Sequence, residues 1–221
     1  MSFVNPFTTL RGLFASHAPT TSVLREIQLV NGDLVQLDYL PDDAFNINVI
    51  AHALSNICRY TGHTYRFYSV AQHSVLVSHV LPEEFQLAGL LHDIGEAFVG
   101  DLASPVKKDM PTFKALEAKI VQRLCDLADL PYITLEMLEH PQVRNADYRM
   151  LATEKKYLMN KFQDNTWSFL KAYGIEAYDD HPVIDPLLPE PAYVLFMNRF
   201  NELTGLDIEL DMFTQCRPNS L

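Results

Sequence analysis

The chain has 221 residues, of which 48% are hydrophobic, so it can bury one sizeable core without needing a second domain. Its 28 acidic and 17 basic residues give a formal net charge of −11, which leaves no basic surface for a nucleic acid backbone. Polymeric nucleic acid is therefore disfavoured as a partner, whereas a small phosphorylated ligand in a cleft is not excluded.

The N-terminal region predicts an arm followed by a small β-hairpin. Residues 1–24 show no clear periodicity and favour a loosely ordered arm. In residues 25–40, apolar residues alternate on both sides of Asn31-Gly32, a pattern typical of a two-stranded ribbon closed by a type I′ turn.

Helical periodicity begins at Asn46 and predicts an all-α core. The first helix should run from Asn46 to near Gly62. The second should begin at Ser69, whose hydroxyl can cap the helix while Gln72 returns the hydrogen bond in a capping box.

A third helix is predicted to open after Pro82 and to continue toward Gly100. Later segments predict further helices over 111–130, 141–160 and about 191–204, with a proline-rich irregular loop over 174–190. We expect a single domain, made of an arm and hairpin (1–40), a helical core (45–160) and a loop with a C-terminal helix (174–221).

The cysteines and the hydropathy pattern predict a cytoplasmic protein without a membrane partner. Cys58, Cys125 and Cys216 are far apart and lack CxxC or Cys/His spacing, so we expect reduced thiols. The N-terminal apolar run is too short for a secretory signal, and no stretch of about 18 apolar residues occurs.

Polar residues fall on the expected core faces of the helices. His73 has Val70 and Val77 one turn away on either side, where a lone histidine would ordinarily be a satisfied core residue. His92 and Asp93 adjoin inside an apolar helix, and a buried carboxylate there would be costly unless a cation or strong donors met it.

Asp147 repeats this anomaly in the 141–160 helix, with an ion pair to Arg144 as the alternative explanation. Together, His73, His92, Asp93 and Asp147 supply two imidazoles and two carboxylates. This ligand set suits Zn²⁺, Mn²⁺, Co²⁺ or Fe²⁺ better than Ca²⁺. The sequence predicts a divalent metal without choosing among those four ions and Mg²⁺.

The order H…HD…D lies within AQHSVLVSHVL, LLHDIGEAFVGDLASPVK and RNADYRMLATE. It resembles the HD-domain superfamily of metal-dependent phosphohydrolases, in particular the 5′-deoxynucleotidase branch and the related phage dATP and dNTP triphosphohydrolases. The resemblance covers about residues 45–160, and HDxxExxxxDLxxPVK is far more specific than an HD dipeptide alone. It implies an HD-domain helical bundle in which His73, His92, Asp93 and Asp147 bind the metal.

The same resemblance implies roles for five further residues. Glu96 and Asp101 match the family's catalytic acids, although a solvated helix-end acid and a loop-start cap are the ordinary alternatives. Arg59 matches a phosphate-binding arginine, and Lys107 is a second phosphate-binding candidate or else a surface lysine. Tyr60 stands where the family places a tryptophan beside the sugar, a departure that leaves the strictness of deoxyribose selection open.

The implied activity is removal of the 5′ phosphate or phosphates of a small nucleotide, either a dNMP or a dNTP, by a protein that forms dimers or hexamers. Two alternatives stay open: a non-catalytic sensor that binds nucleotide and metal, and a cyclic-nucleotide phosphodiesterase. The second is less favoured, because those enzymes usually resemble HDxGK and this chain has Glu96 in place of the lysine.

Overall fold

A computed structural model describes residues 26–213 apart from 129, 131–132 and 160–166, so the predicted arm (1–24) and Cys216 lie outside the described residues. In this part of the chain a hairpin precedes a series of helices, which confirms the predicted all-α fold with a small N-terminal hairpin. The helices are α1 Ile47–Asn56, α2 Val70–His79, α3 Glu83–Leu91, α4 Glu96–Val99, α5 Ser104–Lys108, α6 Pro111–Leu127, α7 Leu135–Leu138, α8 Pro141–Leu158, α9 Ser168–Ala172 and α10 Pro189–Thr204.

The hairpin has a longer loop than the predicted two-residue turn. Strands β1 (Glu26–Gln28) and β2 (Leu34–Gln36) pair antiparallel. The Leu29 carbonyl accepts a hydrogen bond from the Gly32 amide, and Gly32 has a φ of 94°. The type I′ prediction is wrong because Asn31 lacks the positive φ which that turn requires, and a left-handed glycine closes the loop instead.

The first core helix is shorter than predicted, because α1 ends at Asn56 and the chain then becomes extended. The Arg59 amide donates to the Tyr68 carbonyl, and the backbones of Cys58 and Ser69 form an isolated antiparallel β-bridge. These bonds to the start of α2 replace the helical ones. Residues 59–62 then form a 3₁₀ turn in which Tyr60 has a φ of 58°, a strained conformation for a bulky residue.

Helix α2 begins as predicted, but Gln72 has a different role. The Gln72 amide donates to Ser69 Oγ at 3.1 Å, which confirms the cap. The Gln72 side chain does not return a bond to the cap: it donates to the Asp185 carbonyl at 2.8 Å and accepts from the Leu187 amide at 2.9 Å. Gln72 therefore fixes the 174–190 segment against α2, and this segment is irregular as predicted up to Pro189, where α10 begins.

The predicted third helix is interrupted. Helix α3 ends at Leu91. Residues 92–95 then form tight turns before α4 begins, and in these turns backbone amides donate to the carbonyl oxygens three residues earlier. Gly95 allows close packing on α6, because a Cβ there would lie 2.6 Å from a Val121 methyl group. His92 and Asp93 thus occupy a turn between two helices, and the prediction of one continuous helix is wrong.

The core forms where α1, α2, α3 and α10 meet, and α8 packs against α2 and α3. Its largest fully buried side chains are Tyr68, Phe196, Phe200, Ile50, Leu54, Leu90, Leu91, Ile94, Ile120, Leu124, Met150 and Leu158. The predicted later helices correspond to α6, α8 and α10, whereas the short helices α5, α7 and α9 were not predicted. None of the helices in the described ranges has the length and apolar character needed to cross a membrane.

Candidate metal centre

Three potential ligand atoms converge where α2 faces the turn between α3 and α4. Atoms of His73, His92 and Asp93 all lie within 4.8 Å of one another. The two imidazole Nε2 atoms are 3.3 Å apart, and Asp93 Oδ2 lies 3.2 Å from His92 Nε2. This cluster could hold a metal ion.

Asp147 reaches the same place from α8. Its Oδ1 atom lies 3.1 Å from His73 Nε2 and 3.9 Å from His92 Nε2. Between described residues, no ion pair joins Asp147 to Arg144, the alternative partner that the sequence offered. The four residues predicted as ligands are therefore neighbours in space, although they come from α2, the α3–α4 turn and α8.

Each imidazole is oriented through its Nδ1 atom. His92 Nδ1 lies 2.8 Å from the Gly89 carbonyl oxygen, and His73 Nδ1 lies 2.6 Å from Glu154 Oε1. Both partners are acceptors, so each Nδ1 carries a proton and donates. In neutral rings the two Nε2 lone pairs then face each other, a repulsive arrangement that a cation between them would relieve.

Three separations between potential donor atoms are compatible with a small divalent ion. Nitrogen and oxygen ligands about 2.1 Å from such an ion lie about 3.0–3.4 Å from each other. The separations of 3.1 to 3.3 Å among His73, His92, Asp93 and Asp147 fall in this range. Two other separations are longer, 3.8 Å from His73 Nε2 to Asp93 Oδ2 and 3.9 Å from His92 Nε2 to Asp147 Oδ1.

Glu154 is a residue of this centre that the sequence reasoning missed. Its side chain is fully buried and accepts hydrogen bonds from His73 Nδ1, from Tyr68 Oη at 2.7 Å and from Tyr60 Oη. The Arg59 Nε atom lies 3.4 Å from Oε2. Burial opposes the charge of Glu154, but Arg59 and His73 outweigh that effect and lower its pKa to about 2.

The same carboxylates act on His73. Burial and the Arg59 charge oppose protonation of this ring, yet Glu154 and Asp147 raise its pKa to about 9. A cation that bound to His73 Nε2 would therefore compete with a proton.

Glu96 and Asp101, the predicted catalytic acids, lie on and just after α4. Glu96 is buried, and its Oε2 atom has no hydrogen-bond partner among the described residues. Burial together with the charges of Asp93 and Asp101 raises the pKa of Glu96 well above its usual range. Burial and Asp93 also raise the pKa of Asp101, against the opposing effect of Arg59. Burial and the charge of Asp93 therefore shift both carboxyl groups in the direction of the protonated form.

Arg59 and Tyr60 adjoin the predicted ligands, whereas Lys107 pairs with a residue of α6 while its charge also acts on Glu96 and Asp101. Arg59 is buried, with Nη1 3.5 Å from Asp93 Oδ2. The Tyr60 hydroxyl donates to Glu154. Lys107 Nζ lies 2.5 Å from Glu117 Oε1 on α6, so any phosphate would have to compete with that ion pair.

No protein-family model matches the chain. Over 180 residues it is 41% identical to the uncharacterized protein YfdR of Escherichia coli strain K12, an alignment that spans 81% of this chain and 96% of YfdR. It is also 39% identical over 83 residues to an uncharacterized protein of Rhodobacter capsulatus, across 33% of this chain and 42% of that protein.

Proposed function

The chain belongs to the family of Escherichia coli YfdR, and we propose that it is an HD-domain metal-dependent phosphohydrolase that removes the 5′ phosphate or phosphates of small nucleotides. One observation carries the proposal: two imidazole Nε2 atoms and two carboxylates from separate segments meet beside a buried arginine and two buried or half-buried acids. An ordinary helical core would not leave so many ionisable groups together.

His73, His92, Asp93 and Asp147 would hold the ion. A divalent metal bound there would polarise a phosphoryl oxygen and lower the pKa of a water molecule. Glu154 keeps His73 in the required tautomer through the Nδ1 hydrogen bond, and the Gly89 carbonyl does the same for His92.

Arg59 is suited to bind the phosphate. Its Nη1 and Nε atoms face Asp93 and Glu154, and the guanidinium has further N–H groups that can donate to phosphate oxygens. The two carboxylates also fix its orientation, which limits the side-chain entropy lost when a phosphate binds.

The acids would handle the protons of the reaction. Water attacks phosphorus and the bond from phosphorus to the 5′ oxygen breaks, so the attacking water loses a proton and the leaving oxygen gains one. Glu96, whose raised pKa favours the protonated form, can donate to the leaving oxygen, and Asp101 can orient the water. Both roles rest on the matched motif and on their burial near Asp93.

Phosphate release tests this proposal. Wild-type protein would be incubated with dNMPs, NMPs, dNTPs and cyclic nucleotides in Mn²⁺, Co²⁺ or Mg²⁺, with and without a chelator. We expect turnover of a 5′ nucleotide that the chelator abolishes and that restored metal recovers. If nucleotides raise the Tm but none is hydrolysed with any metal, the sensor function replaces the hydrolase.

A further inference from the structure

An aromatic cluster lies directly beside the candidate metal centre. The ring centroids of Tyr60 and Trp167 are 5.9 Å apart with an interplanar angle of 37°. Trp167 in turn stacks on Phe169 at 6.1 Å and 18°. Both Trp167 and Phe169 remain partly exposed, so part of this aromatic surface is accessible to a ligand.

Two cations flank the cluster in a chain of strongly acidic composition. Lys155 Nζ lies 5.9 Å from the Trp167 ring centroid, and the Arg59 guanidinium carbon lies 5.4 Å from the Tyr60 ring centroid. Partly exposed rings with adjacent cations provide a stacking face together with sites for negative charge.

Hydrogen bonds connect this cluster to the predicted metal ligands. The Tyr60 hydroxyl donates to one oxygen of Glu154, and the other oxygen accepts from His73 Nδ1. Arg59, the residue before Tyr60, lies 3.5 Å from Asp93. A ligand whose phosphate met Arg59 at the metal centre could therefore extend past Tyr60 toward Trp167.

We propose that Trp167, with Tyr60, forms a stacking subsite for the nucleobase of the ligand, an inference that rests on the proposed function for the position of the phosphate. Stacking uses the π-face that every base has, so it favours nucleotides over sugar phosphates without selecting one base. The subsite therefore gives a class preference for nucleotides and a broad tolerance of base identity.

Trp167 is the one tryptophan in the sequence, so intrinsic indole fluorescence reports on this position alone. Wild-type protein in Mg²⁺ would be titrated with dAMP, dCMP, 2-deoxyribose 5-phosphate and inorganic phosphate, with excitation at the red edge of indole absorption. We expect saturable quenching by both nucleotides and none by the two ligands that lack a base. Equal quenching by 2-deoxyribose 5-phosphate, or no quenching by nucleotides, would overturn the subsite.

Variants separate stacking from a purely structural role of the indole. Calorimetric titration of Trp167→Leu should show a Kd for dAMP at least about fivefold higher, with the Kd for 2-deoxyribose 5-phosphate unchanged. Trp167→Phe should recover most of the affinity, and Tyr173→Leu, which removes an aromatic ring that is 80% exposed, should change neither Kd. Parallel weakening of both ligands by Trp167→Leu would assign the indole to structure alone.

Failure of the subsite and failure of the hydrolase give different results. Phosphate release with the same KM for dAMP in wild type and Trp167→Leu would keep the hydrolase and reject the subsite. Base-dependent quenching without phosphate release would keep the subsite on a binding protein and reject the hydrolase.

Discussion

Replacing Glu154 by glutamine tests how the metal centre is held together. The amide has nearly the same shape as the carboxylate but no charge, and Glu154 is fully buried among His73, Tyr68, Tyr60 and Arg59. Breaking a buried ion pair costs about 3–5 kcal/mol. We expect a loss near 3 kcal/mol, because Asp93 still lies 3.5 Å from Arg59. For a chain of this size that corresponds to a Tm lower by about 6–12 °C.

Glu154→Gln should also weaken metal binding, because the glutamine oxygen is a poorer acceptor for His73 Nδ1 than a carboxylate. Loss of such a partner typically lowers metal affinity by about 10- to 100-fold. Thermal unfolding of the apoprotein and calorimetric titration with Mn²⁺ measure the two effects separately. Glu154→Asp keeps the charge and should lose less affinity, and Glu139→Gln at an exposed site is the matched control.

Two results would refute this reasoning. An unchanged Tm would mean that Glu154 does not compensate the charge of Arg59. A lowered Tm with unchanged Mn²⁺ affinity would mean that Glu154 stabilises the fold but does not position His73.

Three further predictions concern the same centre. Asp93→Ala should abolish both metal binding and phosphate release, and retention of both in a folded variant would remove Asp93 from the ligand set. Glu96→Gln should retain metal and nucleotide binding but lower kcat by about 10²- to 10⁴-fold, so unchanged kinetics would exclude a catalytic role. The pKa of Glu154 is about 2 when folded and 4.5 in its reference state, so its stabilising effect is complete above about pH 4.5 and declines as the pH falls toward 2. The difference in unfolding free energy between wild type and Glu154→Gln should therefore shrink over that pH range, as denaturant titrations would measure.

The fold class could be predicted because the local signals are strong. The Ser69 cap, the apolar periodicity of α6 and α8 and the alternation around Gly32 each depend on near neighbours in the chain. The errors occur where a distant contact decides the backbone. The backbone β-bridge between Cys58 and Ser69 makes α1 end earlier than predicted, and no local sequence pattern encodes that pairing.

The candidate site was predictable to a similar extent. Polar residues on apolar helix faces identified the four predicted ligands, and the structure brings them together. Glu154 was missed because an acid at that position resembles an ordinary charged helix residue until α2 packs against α8. Its position two turns after Asp147, on the same face of α8, is the signal that was available. Trp167 gave no comparable signal, because it is far along the chain from Arg59 and Tyr60.

The charges around this centre explain why a divalent cation suits it better than further hydrogen bonds would. In the described part of the chain, Arg59 is a buried cation that faces this region, and Lys107, whose charge also acts on Glu96 and Asp101, is paired with Glu117. Five carboxyl groups lie in or around the centre: Asp93, Glu96, Asp101, Asp147 and Glu154. Burial and the charge of Asp93 raise the pKa of both Glu96 and Asp101, which favours protonation of these carboxyl groups over further negative charge. A divalent ion held by His73, His92, Asp93 and Asp147 would offset two of these charges at once and weaken the effect of Asp93 on its neighbours. Metal binding should therefore make a proton on Glu96 easier to release, which is what donation to a leaving oxygen requires.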